Sequence, residues 1–307
     1  MEYLIKDEPS ILINSQTGNA HPFSAEEEVF VVLDSVKKQM ISFDFEKRKL
    51  SARCIVRLID YGKGLVTEAK ATTPKFNIKS TFAPTPYADS DITFLGGGFT
   101  ASAVARNEKI GIIASVPELL LPDGTKGLRI EASLSINKNI KSFNCFLSYG
   151  KKSESLHASI AEDISGTIWI GENKAIVNGE NLQGRHVWKR TSFPKKKERP
   201  IAIIYGRASN LPFSCVSLTY DNSFSIITDG YMKGFRGVEW IEKDNDTILI
   251  TNKNEINVEA KIFSSVHEKR GPFRKANTFR YAMFSGQVLN KKITEAVGYL
   301  EYPDRLQ

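Results

Sequence analysis

The segment Ser165–Arg190, SGTIWIGENKAIVNGENLQGRHVWKR, holds two short apolar runs parted by a polar turn. Thr167, Ile168, Trp169 and Ile170 are β-branched or aromatic and favour a strand. Gly171-Glu172-Asn173-Lys174 is a turn signal and Ala175-Ile176-Val177 returns, so the pair predicts a β-hairpin. Gly179 and Gly184 then interrupt the pattern. Arg185-His186-Val187-Trp188-Lys189-Arg190 follows, with an imidazole, an indole and three cations close together. In an extended segment, alternation sets His186, Trp188 and Arg190 on one face and Arg185, Val187 and Lys189 on the other.

The segment has an echo near the C-terminus. Ser285-Gly286-Gln287-Val288-Leu289-Asn290-Lys291-Lys292-Ile293-Thr294-Glu295-Ala296-Val297-Gly298 also opens on Ser-Gly. It too runs through a strand, a polar turn with a lysine and a second strand to a closing glycine, Gly298 here and Gly179 in the first copy. One such repeat at the end of each half of the chain predicts a duplicated β domain.

A Gly-strand-turn-strand-Gly hairpin followed by His-x-Trp resembles the junction of tandem lipocalin-like proteins, the hydroxyneurosporene synthase/AttH-like group. That group carries an Asp-His-x-Trp-Gly type signature. His186 and Trp188 match it, while Arg185 and Lys189 stand at the acidic and glycine positions. The ending Gly298-Tyr299-Leu300-Glu301-Tyr302 is similar to the group's last strand. The resemblance implies two lipocalin-like antiparallel β-barrels or half-barrels, divided as 1–163 and 164–307.

Composition agrees with an ordinary globular protein: 307 residues, 41% hydrophobic and 25% charged, with 18 Phe and 10 Tyr to line sheet faces. The net charge of +7 is spread thinly. Nucleic-acid binding needs a concentrated basic patch, so no nucleic-acid partner is expected. The basic loop Phe193–Pro200 reads as a solvated connection. Cys54, Cys145 and Cys215 form no CxxC pair and sit in apolar runs, so they read as buried thiols. The N-terminus lacks a secretory pattern and no window is long enough for an integral membrane segment, so a cytoplasmic location is expected.

Along the chain, strand signals recur every 8–12 residues with Gly, Asn and Asp turns between them, which is an all-β rhythm. Ser24 with Glu27 fits a capping box and admits one helical turn at most. Gln39–Phe45 and Leu50–Tyr61 alternate well, with Met40, Ser42 and Asp44 on one face of the first. Pro74, Pro84 and Pro86 exclude a central strand from Thr72–Pro86. Gly96-Gly97-Gly98 follows a strand but lacks the phosphate-loop spacing; a bulge or close backbone approach is expected there.

Chemistry-bearing residues are sparse. His21, His157, His186 and His267 have no metal-ligand spacing, no G-x-S-x-G occurs, and neither metal nor cofactor is expected. His186 is the leading acid–base candidate because its charge changes near neutral pH. A purely structural role, locking two barrels together, competes with that. Glu118, Glu239 and Glu301 sit among apolar neighbours, where a carboxyl can be pushed up and act as an acid; alternation can equally face them to solvent. We take Glu118 and Glu239 with His186 as catalytic candidates. Trp188, Arg185, Tyr281 and Trp240 are the substrate-binding candidates; Tyr87, Tyr205 and Tyr231 are other hydroxyl sources.

The resemblance implies a cofactor-free cyclase or isomerase acting on a hydrophobic or aromatic small molecule in secondary metabolism. A hydratase of a polyene, a non-catalytic carrier of hydrophobic ligands and a carbohydrate-directed β protein are the alternatives. The oligomeric state is left open.

Overall fold

A computed structural model describes residues 3–5, 25–34, 36–48, 51–73, 80–81, 89–106, 109–121, 124–136, 143–149, 152–178, 182–191, 201–208, 211–218, 223–228, 231–252, 255–268 and 277–303. For 3–5, 25–26, 48, 99, 131–136, 143–149, 152–164, 173–178, 182–191, 201, 208, 211–218, 223–228, 231–234, 268, 277 and 303 the description is of the backbone alone. Every regular element in it is a strand, so the all-β expectation holds.

The first strands are β1 (Tyr3–Ile5), β2 (Ala25–Asp34), β3 (Gln39–Arg48), β4 (Ala52–Asp60) and β5 (Leu65–Thr73). Then come β6 (Ser90–Gly96), β7 (Phe99–Arg106), β8 (Lys109–Leu120), β9 (Lys126–Ile136), β10 (Phe143–Tyr149) and β11 (Lys152–Ile170). β12 (Asn173–Asn178) and β13 (Leu182–Thr191) complete the first sheet. The second holds β14 (Ile201–Ala208), β15 (Leu211–Leu218), β16 (Ser223–Thr228), β17 (Tyr231–Phe235), β18 (Glu239–Glu242), β19 (Thr247–Asn252), β20 (Ile256–Glu268), β21 (Asn277–Val288) and β22 (Lys291–Pro303).

The two sheets follow the same path. The first runs β5-β4-β3-β2-β13-β11-β9-β8-β7-β6 and the second β17-β16-β15-β14-β22-β21-β20-β19-β18. Each begins as a four-strand meander. The first then crosses to β13, the strand after the Ser-Gly hairpin, with β12 off the path beside β11. The second crosses to β22, the return strand of its hairpin. Each continues into the strands that precede its hairpin in sequence. The repeated Ser-Gly marks an irregularity in the ladder. Pairing slips between Glu162 and Ser165 in β11, and between Met283 and Gly286 in β21. Gly166 (φ 149°) and Gly286 (φ 116°) take backbone conformations that L side chains avoid.

Each hairpin closes as expected. Gly171 (φ 60°) turns β11 into β12. Leu289 and Asn290 both have positive φ between the paired Val288 and Lys291, the mark of a two-residue primed turn. The capping-box reading of Ser24–Glu28 gives way to strand: Ala25–Glu28 pair with β3 on one side and β13 on the other. Ladder hydrogen bonds on both sides outweigh a local helical turn.

The chain divides into two compact units, Met1–Gly62 with Val66–Pro194, and Lys195–Gln307 with Lys63–Leu65. Residues 163 and 164 both lie inside β11, a 19-residue strand.

In the first unit Phe30, Phe43, Phe45, Cys54, Val56, Phe94, Ile112 and Ile130 fill one core. Ala71 of β5 and Phe94 of β6 belong to it although they come from opposite ends of the strand path. The sheet therefore curls until its ends meet. Gly96-Gly97-Gly98 is the β6–β7 turn at that seam: a Cβ on Gly97 would collide with Ala71, and one on Gly96 with Thr73. The expected close approach is what the glycines provide. Burial pushes the Cys54 thiol well up, consistent with a buried hydrophobe rather than a nucleophile.

The second unit packs Ala202, Ile204, Phe235, Ile250, Val258, Phe284 and Leu300 into its own core. Phe235 and Val238 flank the short link between β17 and β18, the two ends of that sheet, and both are buried.

Candidate functional site

Strands β2, β3 and β4 are buried on both faces, which ordinary antiparallel sheets are not. Ile41, Phe43 and Phe45 of β3 enter the core, while Met40, Ser42, Asp44 and Glu46 are buried on the opposite face. β4 alternates likewise: Cys54, Val56 and Leu58 go to the core, and Arg57 is buried with the second set. A buried face that carries charge must pair it.

The pairing is uneven. Arg57 Nε donates to Glu68 Oε2 of β5 at 2.8 Å. Its Nη1 stands 3.6 Å from Asp44 Oδ2, too long for a good charge-assisted hydrogen bond. Arg53 Nη2 lies 2.6 Å from Glu46 Oε2. Asp44 is 8% exposed, and its Oδ1 is buried with no hydrogen-bond partner among the described residues. Its carboxyl is pushed up to about 7. Desolvation is the main cause and Glu27 adds to it; Arg57 and Arg53 pull down, and Glu46 pushes up again. Asp44 is thus a carboxyl raised towards neutral pH, with one buried oxygen that no described residue bonds.

Sequence reasoning missed this group. The alternation in Gln39–Phe45 places Asp44 on one face of a strand but cannot say whether that face is covered. The available signal was register. In the β3–β4 hairpin Ser42 faces Arg57 and Glu46 faces Arg53, so acids and arginines of one face converge.

The expected site residues fall in different places. Arg185, His186 and Trp188 lie in β13, and their side chains are outside the described part. Their backbone register is clear. Arg185 pairs with Val31, which pairs with Ser42, which pairs with Arg57. Val187 reaches Asp44 through Val29 in the same way. His186 pairs with Phe30 and Ser159, and Trp188 with the buried Glu28 and with His157.

Glu118 is exposed at an irregularity between Val116 and Leu120, where β8 slips against β9. Its Cγ lies 3.6 Å from where a Cβ on Gly98 would stand, beside a depression of about 310 Å³ lined by Gly96, Gly98, Thr100, Ser115 and Pro117. Glu239 is exposed on β18. Trp240 is half-buried, set edge-on to Tyr302 at 6.4 Å, and packs against the second core. Tyr281 is buried beside Tyr299 at 6.1 Å, and Phe279 meets Tyr299 at 5.7 Å. Tyr302 is raised to about 12, chiefly by burial. Tyr281 and Trp240 are thus in the second unit and Asp44, Glu118 and β13 in the first. Tyr87 and His21 lie outside the described residues. Among the described residues, no three His, Cys, Asp or Glu side chains converge as a metal site. Among the described residues, no helix is long and apolar enough to cross a membrane.

No family model matches the chain, and no curated protein does. Solved structures do. An AttH-type protein of Nitrosomonas europaea aligns with a TM-score of 0.59 at 10% identity, covering 92% of this chain and 93% of that one. CghA, in a crystal with Sch210972, aligns at 0.56 and 10% identity, covering 92% and 90%. Kievitone hydratase of Nectria haematococca aligns at 0.54 and 8% identity, covering 91% and 88%. Over nine-tenths of its length, this chain has the tandem lipocalin-like β fold of the AttH-type structures.

Proposed function

We propose that this chain is a cofactor-free enzyme of the cyclase, isomerase or hydratase kind. Its substrate is a hydrophobic or aromatic small molecule of secondary metabolism, and it works in the cytoplasm. The observation that carries the reading is Asp44: a buried carboxyl near neutral, with one oxygen that no described residue bonds, on a face shared with Arg57. The fold supports it, since one structure of this fold is kievitone hydratase and another, CghA, was crystallised with Sch210972.

Asp44 in its neutral form delivers a proton to an oxygen or a double-bond carbon of the substrate. As carboxylate it takes one back from the atom that ends the reaction, so no proton is consumed overall. Burial keeps the two forms close in energy. Enclosure of a flexible substrate in a reactive conformer lowers the entropic part of the barrier. In this proposal Arg185, whose backbone is in register with Val31, Ser42 and Arg57 of the same unit, helps hold the substrate. The exposure of Glu118 and Glu239 makes Asp44 the better acid.

The test is a panel of polyenes, polycyclic aromatics and hydrophobic dyes, scored for saturable binding and then for conversion of the bound compounds. We expect at least one compound to bind saturably and to be rearranged or hydrated. No saturable binding would overturn the reading. Binding without conversion across precursor-like compounds would favour a carrier.

A further inference from the structure

Among the described residues, the cation that stands 3.6 Å from the Asp44 carboxyl, Arg57, is shared with a competitor. Arg57 gives Nε to Glu68 at 2.8 Å and approaches Asp44 at only 3.6 Å. Glu68 sits on β5, one strand beyond Arg57, and draws the guanidinium away from β3. An arginine fork offered to a lone buried carboxylate would normally close on it at about 2.8 Å, often with two bonds. Here the shorter bond goes to the less buried acid: the Glu68 side chain is 20% exposed, and that of Asp44 11%.

We propose that Glu68 is a positioning residue: by holding Arg57 through Nε it keeps the guanidinium from closing on Asp44, and so leaves Asp44 able to hold and release a proton. The inference rests on the reading of Asp44 as the proton-transferring group. Its test reads the titration of Asp44 and not turnover, so the two can fail separately.

The other charges around Asp44 are fixed across Glu68 variants. Glu27 stands on β2, Glu46 on β3 itself, Arg53 and Arg57 on β4, and Glu68 on β5. On β13, Arg185 and Lys189 occupy the positions paired with Val31 and Glu27. With Glu68 neutralised, Arg57 loses the charge-assisted bond that draws it towards β5, and one carboxylate competing for that guanidinium is gone. Both changes favour the carboxylate. With Arg57 neutralised, Asp44 loses a cation that stands 3.6 Å away and favours the acid.

The experiment is carboxyl-¹³C NMR of aspartate-labelled full-length protein, with the Asp44 resonance identified by its loss in Asp44→Asn. Glu68→Gln is expected to move the Asp44 midpoint down by roughly one pH unit or more, and Arg57→Gln to move it up. Glu68→Asp keeps the charge but shortens the reach to Arg57, and is expected to move the midpoint down as well. If Glu68→Gln does not fold, Glu68→Asp carries the test. An unchanged or raised midpoint in Glu68→Gln overturns the proposal. So does a midpoint in Glu68→Asp equal to that of the unaltered protein, since charge alone would then account for the effect.

Discussion

Replacing Asp44 by asparagine is expected to cut turnover by roughly 10²- to 10⁴-fold, the usual size of a lost general acid or base. Asparagine keeps the shape and hydrogen-bonding capacity of the carboxyl but cannot transfer a proton. Ligand affinity should stay within a few-fold, so the loss falls on kcat rather than on binding. Arg57 keeps its bond to Glu68, which leaves no buried cation stranded. Turnover unchanged in Asp44→Asn, measured on whichever compound the panel identifies, would remove Asp44 from the chemistry.

The same substitution is expected to stabilise the protein in alkaline buffer. The folded carboxyl is raised from 3.8 to about 7, so between those values the native state binds more protons than the unfolded chain. Stability therefore falls as pH rises through that window and levels off above it. Above pH 7 the ionised Asp44 costs on the order of a few kcal/mol, which asparagine does not incur. Thermal midpoints at pH 5 and pH 8 give the comparison. The gain in Asp44→Asn should be larger at pH 8, and a larger gain at pH 5 would contradict the assignment. A slower yet more stable variant is the pattern of a group retained for function.

Gly298→Ala is expected to have the largest effect on stability. Gly298 in β22 pairs with Ile204 of β14 and Ala282 of β21, and a Cβ there would collide with the carbonyl oxygen of Ile203. The obstacle is backbone in a ladder, so no side chain can swing aside. Gly206 of β14, which pairs with Ala296, is also tight, its added Cβ meeting the carbonyl of Glu295. Separating β14 from β22 would break the step that joins the meander to the rest of the second sheet. A cost of about 3 kcal/mol or more follows, a fall of roughly 10 °C or more in the midpoint of the second unit. Gly111→Ala in β8 is the control, because a Cβ there meets nothing closer than Val104 O at 4.0 Å. It should be neutral or slightly stabilising. Equal midpoints for Gly298→Ala and the unaltered protein would show that the two strands are not held as described.

These outcomes bear on what the sequence makes legible. The Ser-Gly hairpins were readable because turn chemistry is local: Gly171 and Asn290 are residues that tolerate positive φ. The duplication was readable because both copies keep a glycine where the ladder slips. The length of β11 was not. Gly166 looks like a strand start, yet it lies inside one strand as an irregularity, and only the pairing of β9 across it shows this. Glu118 and Glu239 looked like acids among apolar neighbours, but a sequence neighbour in a strand points to the other face, and both are exposed. Asp44 was invisible for the opposite reason. Its neighbours Phe43 and Phe45 enter the core, which makes its own face look like the solvent side. The cover on that second face is tertiary, and alternation carries no trace of it. What register does show is the convergence of Glu46 with Arg53 and of Ser42 with Arg57.

The proton affinity of Asp44 in the unaltered protein is the most direct measurement. Carboxyl-¹³C titration of the aspartate-labelled chain, with Asp44→Asn as the blank, reads it without any substrate. A midpoint near the expected value of about 7 would place a proton-exchanging carboxyl in the buried face of the first unit. A midpoint near 4, the ordinary value for aspartate, would contradict it and leave that face with an ion-paired carboxylate and no acid to offer.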